Sequence, residues 1–393
     1  MLRAATVSIV HEDAFLAGRD AGRELLEELG EAPSLVVVFA SSRYDQAQML
    51  AGLGAALPAT TRIAGCSSTA EIDNKEALVG SVTAMGLCLS GAVGCETFRL
   101  LAPIDDPYAS GRAFGETIKA KNPALLLLFP DGLAMNNAPF LLGLQESLGP
   151  QFPIFGGVPG EAALGFVNTY EYEGREAFSG GVSAIALTGP VEVVTAAAAG
   201  FQPVGVARTA TRVEGGRTIY ELDGIPALTL YRQYLGTRAN DMPIVGLEFP
   251  LGIVGGTIGT QRLPMGEAVS VIRGVNSFDE ATLALRCLGE IPQGAQITMT
   301  RATKDDLLRA AADAAASALA KMPKPEAVFF FSCAGRKLVL GSRFKEEAEK
   351  ALSAFSPDVP KIGFYTYGEL SPVEGTTMYH DETFTVALLR EKP

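Results

Sequence analysis

Three stretches of this chain open on proline, run within one residue into an apolar string and close on phenylalanine. They are Pro33-Ser34-Leu35-Val36-Val37-Val38-Phe39, Pro123-Ala124-Leu125-Leu126-Leu127-Leu128-Phe129 and Pro325-Glu326-Ala327-Val328-Phe329-Phe330-Phe331. Short apolar runs of this kind, bounded by helix breakers, read as buried strands. The same signals follow each one: a helical stretch (45–56, near 138–148, near 344–355), then a Gly-containing strand (62–66, 153–157, 360–364). A loop and a closing strand (81–89, 181–187, 383–389) complete the copy. The chain is therefore an internal repeat of a β-α-β-loop-β unit. One such unit cannot bury both faces of its strands, so the expected fold class is α/β, with duplicated units forming mixed sheets covered by helices.

At 393 residues the chain exceeds what one hydrophobic core usually supports, and two domains are expected. A segment rich in Gly, Pro and Thr at 200–224 separates the second copy from the third, and a fresh helix is predicted over 225–236. The border is placed at residue 222, giving an N-terminal domain of 1–222 with two copies and a C-terminal domain of 223–393. The stretch Lys304–Lys321, Ala-rich with Asp305 and Asp306 in its first turn, is the clearest helix signal. A net charge of −12 repels phosphate backbones and anionic headgroups, which argues against nucleic-acid and membrane partners. No apolar run reaches the roughly 18 residues that a membrane span needs, and the start of the chain lacks a signal-peptide core, so a cytoplasmic location is expected. The five cysteines form no Cys-x-x-Cys pair and are expected to be reduced thiols.

The segment Phe331-Ser332-Cys333-Ala334-Gly335-Arg336, followed by Gly341, Glu346-Glu347 and Ile362-Gly363-Phe364-Tyr365-Thr366-Tyr367-Gly368-Glu369-Leu370-Ser371-Pro372, closely resembles the signature of FIST C-terminal domains. Leu222-Asp223-Gly224-Ile225-Pro226-Ala227-Leu228 is similar to the start of that domain, and Tyr379-His380-Asp381-Glu382-Thr383-Phe384 to its closing segment. Upstream, Ile63-Ala64-Gly65-Cys66-Ser67-Ser68-Thr69-Ala70-Glu71-Ile72 resembles the FIST N-terminal pattern, with an extra Ser displacing the usual Gly. What the resemblance implies is intracellular signal transduction by ligand sensing. The implied ligands are small molecules such as amino acids and, in some members, haem for nitric oxide. Since this sequence carries no output domain, the expected partner is a separate signalling protein such as a kinase or cyclase.

Candidate site residues gather in the third copy. Tyr365, Tyr367 and Glu369 fall at i, i+2 and i+4 of a predicted strand, which puts two phenols and a carboxylate on one face. That face is either a ligand wall or a strand end in solvent. Arg336 suits a ligand carboxylate, Glu369, or a structural salt bridge. Cys333, at the end of a strand, can present a thiolate or a soft metal ligand, but a thiol enzyme needs a base, and the chain offers only His11 and His380. His380 has three readings: a cap on its turn, an axial haem ligand, or a base. Cys66, inside the N-terminal signature, completes the ligand-binding set. Neither glycine cluster, 52–54 or 252–259, fits a nucleotide loop, and no metal or cofactor is expected. The resulting expectation is a sensor of an amino acid or small carboxylate without catalytic activity. The alternatives are a thiol-dependent hydrolase or transferase using Cys333, and a haem-based sensor using His380.

Overall fold

A computed structural model describes residues 2–258, 261–263 and 271–392, with only the backbone of 261–263; residue 259 of the second glycine cluster lies outside the described residues. The first unit contains β1 (Arg3–Ile9), α1 (Ala14–Leu29), β2 (Leu35–Ser41), α2 (Gln46–Ala56), β3 (Arg62–Ser68), the hairpin β4 (Glu71–Ile72) and β5 (Ala77–Leu78), and β6 (Val82–Cys88). The second repeats it with β7 (Gly94–Leu100), α3 (Pro107–Lys119), β8 (Pro123–Pro130), α4 (Asn137–Leu148), β9 (Ile154–Gly157), the hairpin β10 (Glu171–Glu173) and β11 (Glu176–Phe178), and β12 (Val182–Thr188). A third unit opens with β13 (Val191–Ala198) and is then interrupted. The insertion holds β14 (Gln202–Glu214), β15 (Thr218–Leu222), β16 (Ile225–Pro226), α5 (Ala227–Leu235), α6 (Ile244–Glu248), β17 (Leu251–Ile258), β18 (Gln261–Leu263), β19 (Val271–Arg273), β20 (Val275–Asp279), β21 (Ala284–Cys287) and β22 (Gln296–Arg301). The unit resumes with α7 (Lys304–Lys321), β23 (Ala327–Cys333), α8 (Ala334–Leu340), α9 (Phe344–Leu352), β24 (Lys361–Thr366), the hairpin β25 (Glu369–Val373) and β26 (Thr376–His380), and β27 (Phe384–Glu391).

The three proline-led runs occupy equivalent places as β2, β8 and β23, but the repeat is larger than its apolar strings indicate. Each unit also begins with a strand and a helix. β1, β7 and β13 are edge strands with mostly half-buried side chains, so they carry little apolar signal. The 200–224 segment is not an irregular linker: β14 and β15 fill most of it. Gln202–Glu214 is a long, largely exposed strand, bent where Gly205 adopts φ 86°, so its polar composition looked like a linker.

Each unit builds a six-stranded sheet, and the hairpins are exchanged cyclically. β10 pairs with β3, β25 with β9, and β4 with β24, placing each unit's hairpin in a neighbour's sheet. The inner faces of the three sheets meet in one core where Phe39, Phe129 and Phe331 converge. Phe39 stands 5.5 Å from Phe129 and 6.3 Å from Phe331 between ring centroids. Helices α1 and α2, α3 and α4, and α7 and α9 cover the outer faces. Covered on both sides, β2, β8 and β23 show no polar alternation.

Close helix pairing explains the first glycine cluster. A Cβ on Gly52 would lie 1.9 Å from the Phe15 carbonyl, and Gly143 meets Tyr108 in the same way at 2.0 Å in the second unit. The insertion forms a fourth, mostly antiparallel sheet with its own core around Tyr231, Ile253, Leu285 and Ile297. It rests on the third unit through Met378 and Arg273.

Candidate functional site at the strand ends of the third unit

The exchange gives every unit the same backbone corner. Glu71, Glu171 and Glu369 each open a hairpin, and all three are fully buried. Each carboxylate accepts from the backbone N–H at the start of its closing strand: Ser81 at 2.9 Å, Gly181 at 3.2 Å and Thr383 at 3.1 Å. The carbonyls of those same residues accept from the N–H of Ser41, Asp131 and Cys333, which end or follow the first apolar strand. Three corners with one backbone make an internal comparison.

They differ in how the carboxyl is satisfied. In the first unit Ser68 Oγ donates to Glu71 Oε1, Ser81 Oγ to Oε2 at 2.7 Å, and the Lys337 ammonium lies near. Burial still lifts Glu71 to about 7. In the second unit Glu171 is raised by burial and then by Asp131, whose own oxygens accept from Leu133 N, Ala134 N and Thr169 Oγ1 at 2.8, 2.7 and 2.5 Å. No hydroxyl donates to Glu369, whose Oε1, like that of Glu171, has no partner among the described residues; neither has Oγ of buried Ser371, two residues along the same strand and so on the same face. Leaving a buried acceptor unpaired costs about 1–3 kcal/mol.

Two further buried carboxyls crowd this corner. Glu382 adopts φ 54° where the other units place Gly80 (φ 81°) and Gly180 (φ 77°). A non-glycine residue there stores about 1 kcal/mol or more of strain, the kind concentrated at functional sites. Its Oε1 accepts from Cys333 Sγ at 3.7 Å, Oε2 has no partner among the described residues, and burial pushes the carboxyl to about 8. Asp381, lifted to about 6 by burial, lies 3.6 Å from Arg273 Nη1 and against the backbone of Gly289. Arg273 is itself held by the carbonyls of Glu290, Ile272 and Tyr379 at 2.7, 3.0 and 3.1 Å. His380 and Thr383, flanking the two acids, line a cleft of about 360 Å³ between the third unit and the fourth sheet.

The residues singled out from sequence separate. Glu369 and Cys333 come together here, where burial and then Glu369 and Glu382 push the Cys333 thiol well above its ordinary value. Arg336 is at the edge of the corner and is fully occupied. It pairs with Glu347 at 2.8 Å and donates to the carbonyls of Ala199, Glu382 and Leu307. The expected shared face of Tyr365, Tyr367 and Glu369 does not form, because β24 ends at Thr366 and Glu369 starts a strand of another sheet. Tyr365 instead donates to the Phe344 carbonyl at 2.9 Å beneath α9, and Tyr367 stacks on Phe166 at 4.5 Å. Cys66 is in the central core, fully buried beside the exchanged strand. His380 holds the Ser371 carbonyl at 3.0 Å, and burial lowers it to about 4; no hydrogen bond joins it to Cys333. No cluster of three or more His, Cys, Asp or Glu side chains suited to a metal ion occurs among the described residues. No described helix is long and apolar enough to cross a membrane.

Sequence reasoning passed over Asp381, Glu382 and Arg273. A signal for Glu382 was present: aligning the repeats puts a glutamate where two copies carry glycine. Arg273 gives none, since only the docking of the fourth sheet brings it near.

Comparison with known proteins finds similarity over nearly the whole chain. The chain is 27% identical over 387 residues to the uncharacterized protein Rv0628c of Mycobacterium tuberculosis (strain H37Rv), covering 96% of each. It is 25% identical over 394 residues to the uncharacterized protein Mb0898c of Mycobacterium bovis, again with 96% of each covered. Among solved structures, cyanuric acid hydrolase from A. caulinodans aligns over 100% of this chain and 99% of its own, at 9% identity and a TM-score of 0.35. The FIST N domain model matches residues 34–225 and the FIST C domain model residues 227–372, their border falling within the fourth sheet. FIST domains are associated with signal transduction and small-ligand sensing. With both domains in tandem, the chain belongs to the FIST family.

Proposed function

We propose that this protein is a small-ligand sensor that performs no catalysis, with its binding site at the acidic corner of the third unit. The observation that carries this reading is the gathering of buried carboxyl oxygens without hydrogen-bond partners on Glu369, Asp381 and Glu382, where the first unit surrounds Glu71 with donors and the second leaves only one carboxyl oxygen, Glu171 Oε1, without a partner among the described residues. A ligand bringing hydrogen-bond donors supplies what the chain omits. Of the two expected classes, an amino acid fits better than a simple carboxylate, because Glu369, Asp381 and Glu382 oppose an anion. A protonated amine suits these carboxyls, and Arg217, whose charge acts on Asp381, lies near for the ligand carboxylate. The geometry offers little to a thiol enzyme: a buried Cys333 bonded to a carboxyl is a poor nucleophile. Readout passes to a separate partner such as a kinase or cyclase.

A thermal-shift screen of the standard amino acids, small carboxylates and haem tests the reading. Binding to the folded state at 100 times Kd adds about 2.7 kcal/mol, an easily measured rise in Tm. Stabilisation by at least one amino acid, abolished in Glu369→Gln, is the expected result. A ligand whose effect survives that substitution places the site elsewhere.

A further inference from the structure

The acidic corner holds more carboxyls than it can ionise at once. Glu369 on β25 and Asp381 and Glu382 after β26 are joined by Glu347 on α9, facing Arg336 on α8 and Arg273 and Arg217 from the fourth sheet. Arg336 is committed to Glu347 and Arg273 to Asp381, while Arg217 is shared with Asn136. The neutral groups nearby, Cys333 on β23, Cys287 on β21 and Tyr379 and His380 on β26, contribute no positive charge. Cys287 is pushed to about 12, chiefly by burial, and burial also raises Tyr379 and holds His380 neutral. Glu369, Asp381 and Glu382 are fully buried, and Glu369 Oε1, both Asp381 oxygens and Glu382 Oε2 lack hydrogen-bond partners among the described residues, so ionising all of them is costly. Protons therefore remain on this corner in the empty protein.

We propose, resting on the sensor reading above, that a ligand bearing an ammonium or guanidinium group binds this corner by exchange. Its N–H donors replace carboxyl protons, each binding event releases about one proton to the buffer, and affinity rises with pH. The proton balance is closed: the carboxyl becomes a carboxylate paired with the ligand cation, and its proton goes to the bulk. The working window follows from Asp381 at about 6 and Glu382 at about 8. Below it the acids are neutral and hold their protons. Above it they are already ionised, and the dependence flattens. Glu71 gives no such exchange, because Ser68, Ser81 and Lys337 already serve its carboxyl.

The test is isothermal titration of glycine, arginine and putrescine into the intact protein between about pH 6 and about pH 8, in phosphate and in MOPS, which carries no primary ammonium. One released proton per site predicts a Kd that tightens by up to about tenfold per pH unit, and a binding enthalpy that differs between the two buffers. Glu382→Gly places at residue 382 the glycine that the other units carry, keeps the carbonyl that Arg336 uses, and should fold while reducing the proton count. Glu71→Gln should leave the pH slope unchanged. Binding that is abolished by Glu369→Gln, yet shows the same Kd across the window and the same enthalpy in both buffers, overturns the exchange and leaves the sensor reading standing. Failure of all three probes to bind, or binding indifferent to both Glu369→Gln and Glu382→Gly, overturns both.

Discussion

Replacing Arg336 by methionine separates a structural arginine from a ligand-binding one. The side chain is fully buried; its ion pair with Glu347 measures 2.8 Å, and Glu347 in turn accepts from Ser332 Oγ at 2.7 Å. Removing one member of such a pair leaves an uncompensated buried charge, a loss of about 3–5 kcal/mol. The carbonyls of Leu307, Ala199 and Glu382, each worth about 1–3 kcal/mol if left dry, add to it. Against a total stability of about 5–15 kcal/mol, Arg336→Met should remove a large share. Urea denaturation followed by far-UV circular dichroism is the assay, since the chain has no tryptophan. Glu347→Met should cost a similar amount, and the double variant less than the sum, because neither partner then remains as a bare buried charge. Arg336→Met within about 1 kcal/mol of the parent protein, with ligand response lost, would refute this reasoning and return Arg336 to the binding site.

Three further outcomes are expected. Gly52→Ala drives a methyl into the Phe15 carbonyl and should lower stability by about 2 kcal/mol or more, whereas Gly91→Ala, with no atom within 4 Å, should be near neutral; equal effects on Tm would contradict the helix packing described. Asp381, Glu71 and Glu382, raised to about 6, 7 and 8, contribute stability that is complete below the ordinary carboxyl range and lost as pH rises through those values. His380, lowered to about 4, contributes stability that is complete above its ordinary value and lost as pH falls towards 4. Three raised acids outweigh one lowered histidine over this range, so Tm should fall from about pH 5 to about pH 8, and a steady climb over that interval would count against the buried acids. Iodoacetamide should modify Cys333 and Cys66 slowly in the native protein, since both are buried and raised; rapid single alkylation at Cys333 by mass spectrometry would revive the thiol-enzyme alternative.

What the sequence revealed follows the physics of burial. β2, β8 and β23 are covered on both faces, so their apolar strings were unmistakable, and Thr303 and Asp306 form the capping box that starts α7 where the reading placed it. Edge strands and the exposed β14 lack that contrast, so the opening strand of each unit and the start of the fourth sheet went unread. For the site, Glu369 and Cys333 were found, but the shared-face argument for Tyr365 and Tyr367 assumed one continuous strand. The chain instead turns at Gly368, which packs against the Tyr379 hydroxyl, and crosses to another sheet. Strand periodicity within one segment carries no information about which sheet the next segment joins.

The cyclic exchange of hairpins makes the order of synthesis matter. When the ribosome has made the first unit, β3 still lacks β10, and β4 must wait for β24, which is separated from it by most of the chain. Pairings of such long range delay folding, and unfilled strand edges invite association with other chains. β27 sits between β13 and β23, so the third sheet remains split until that strand emerges. The sheets thus close in turn, the first with β11, the second with β26 and the third with β27, and a product stopped before any of these strands displays open edges. A chain that lacks β27 leaves the edges of β13 and β23 open to proteolysis.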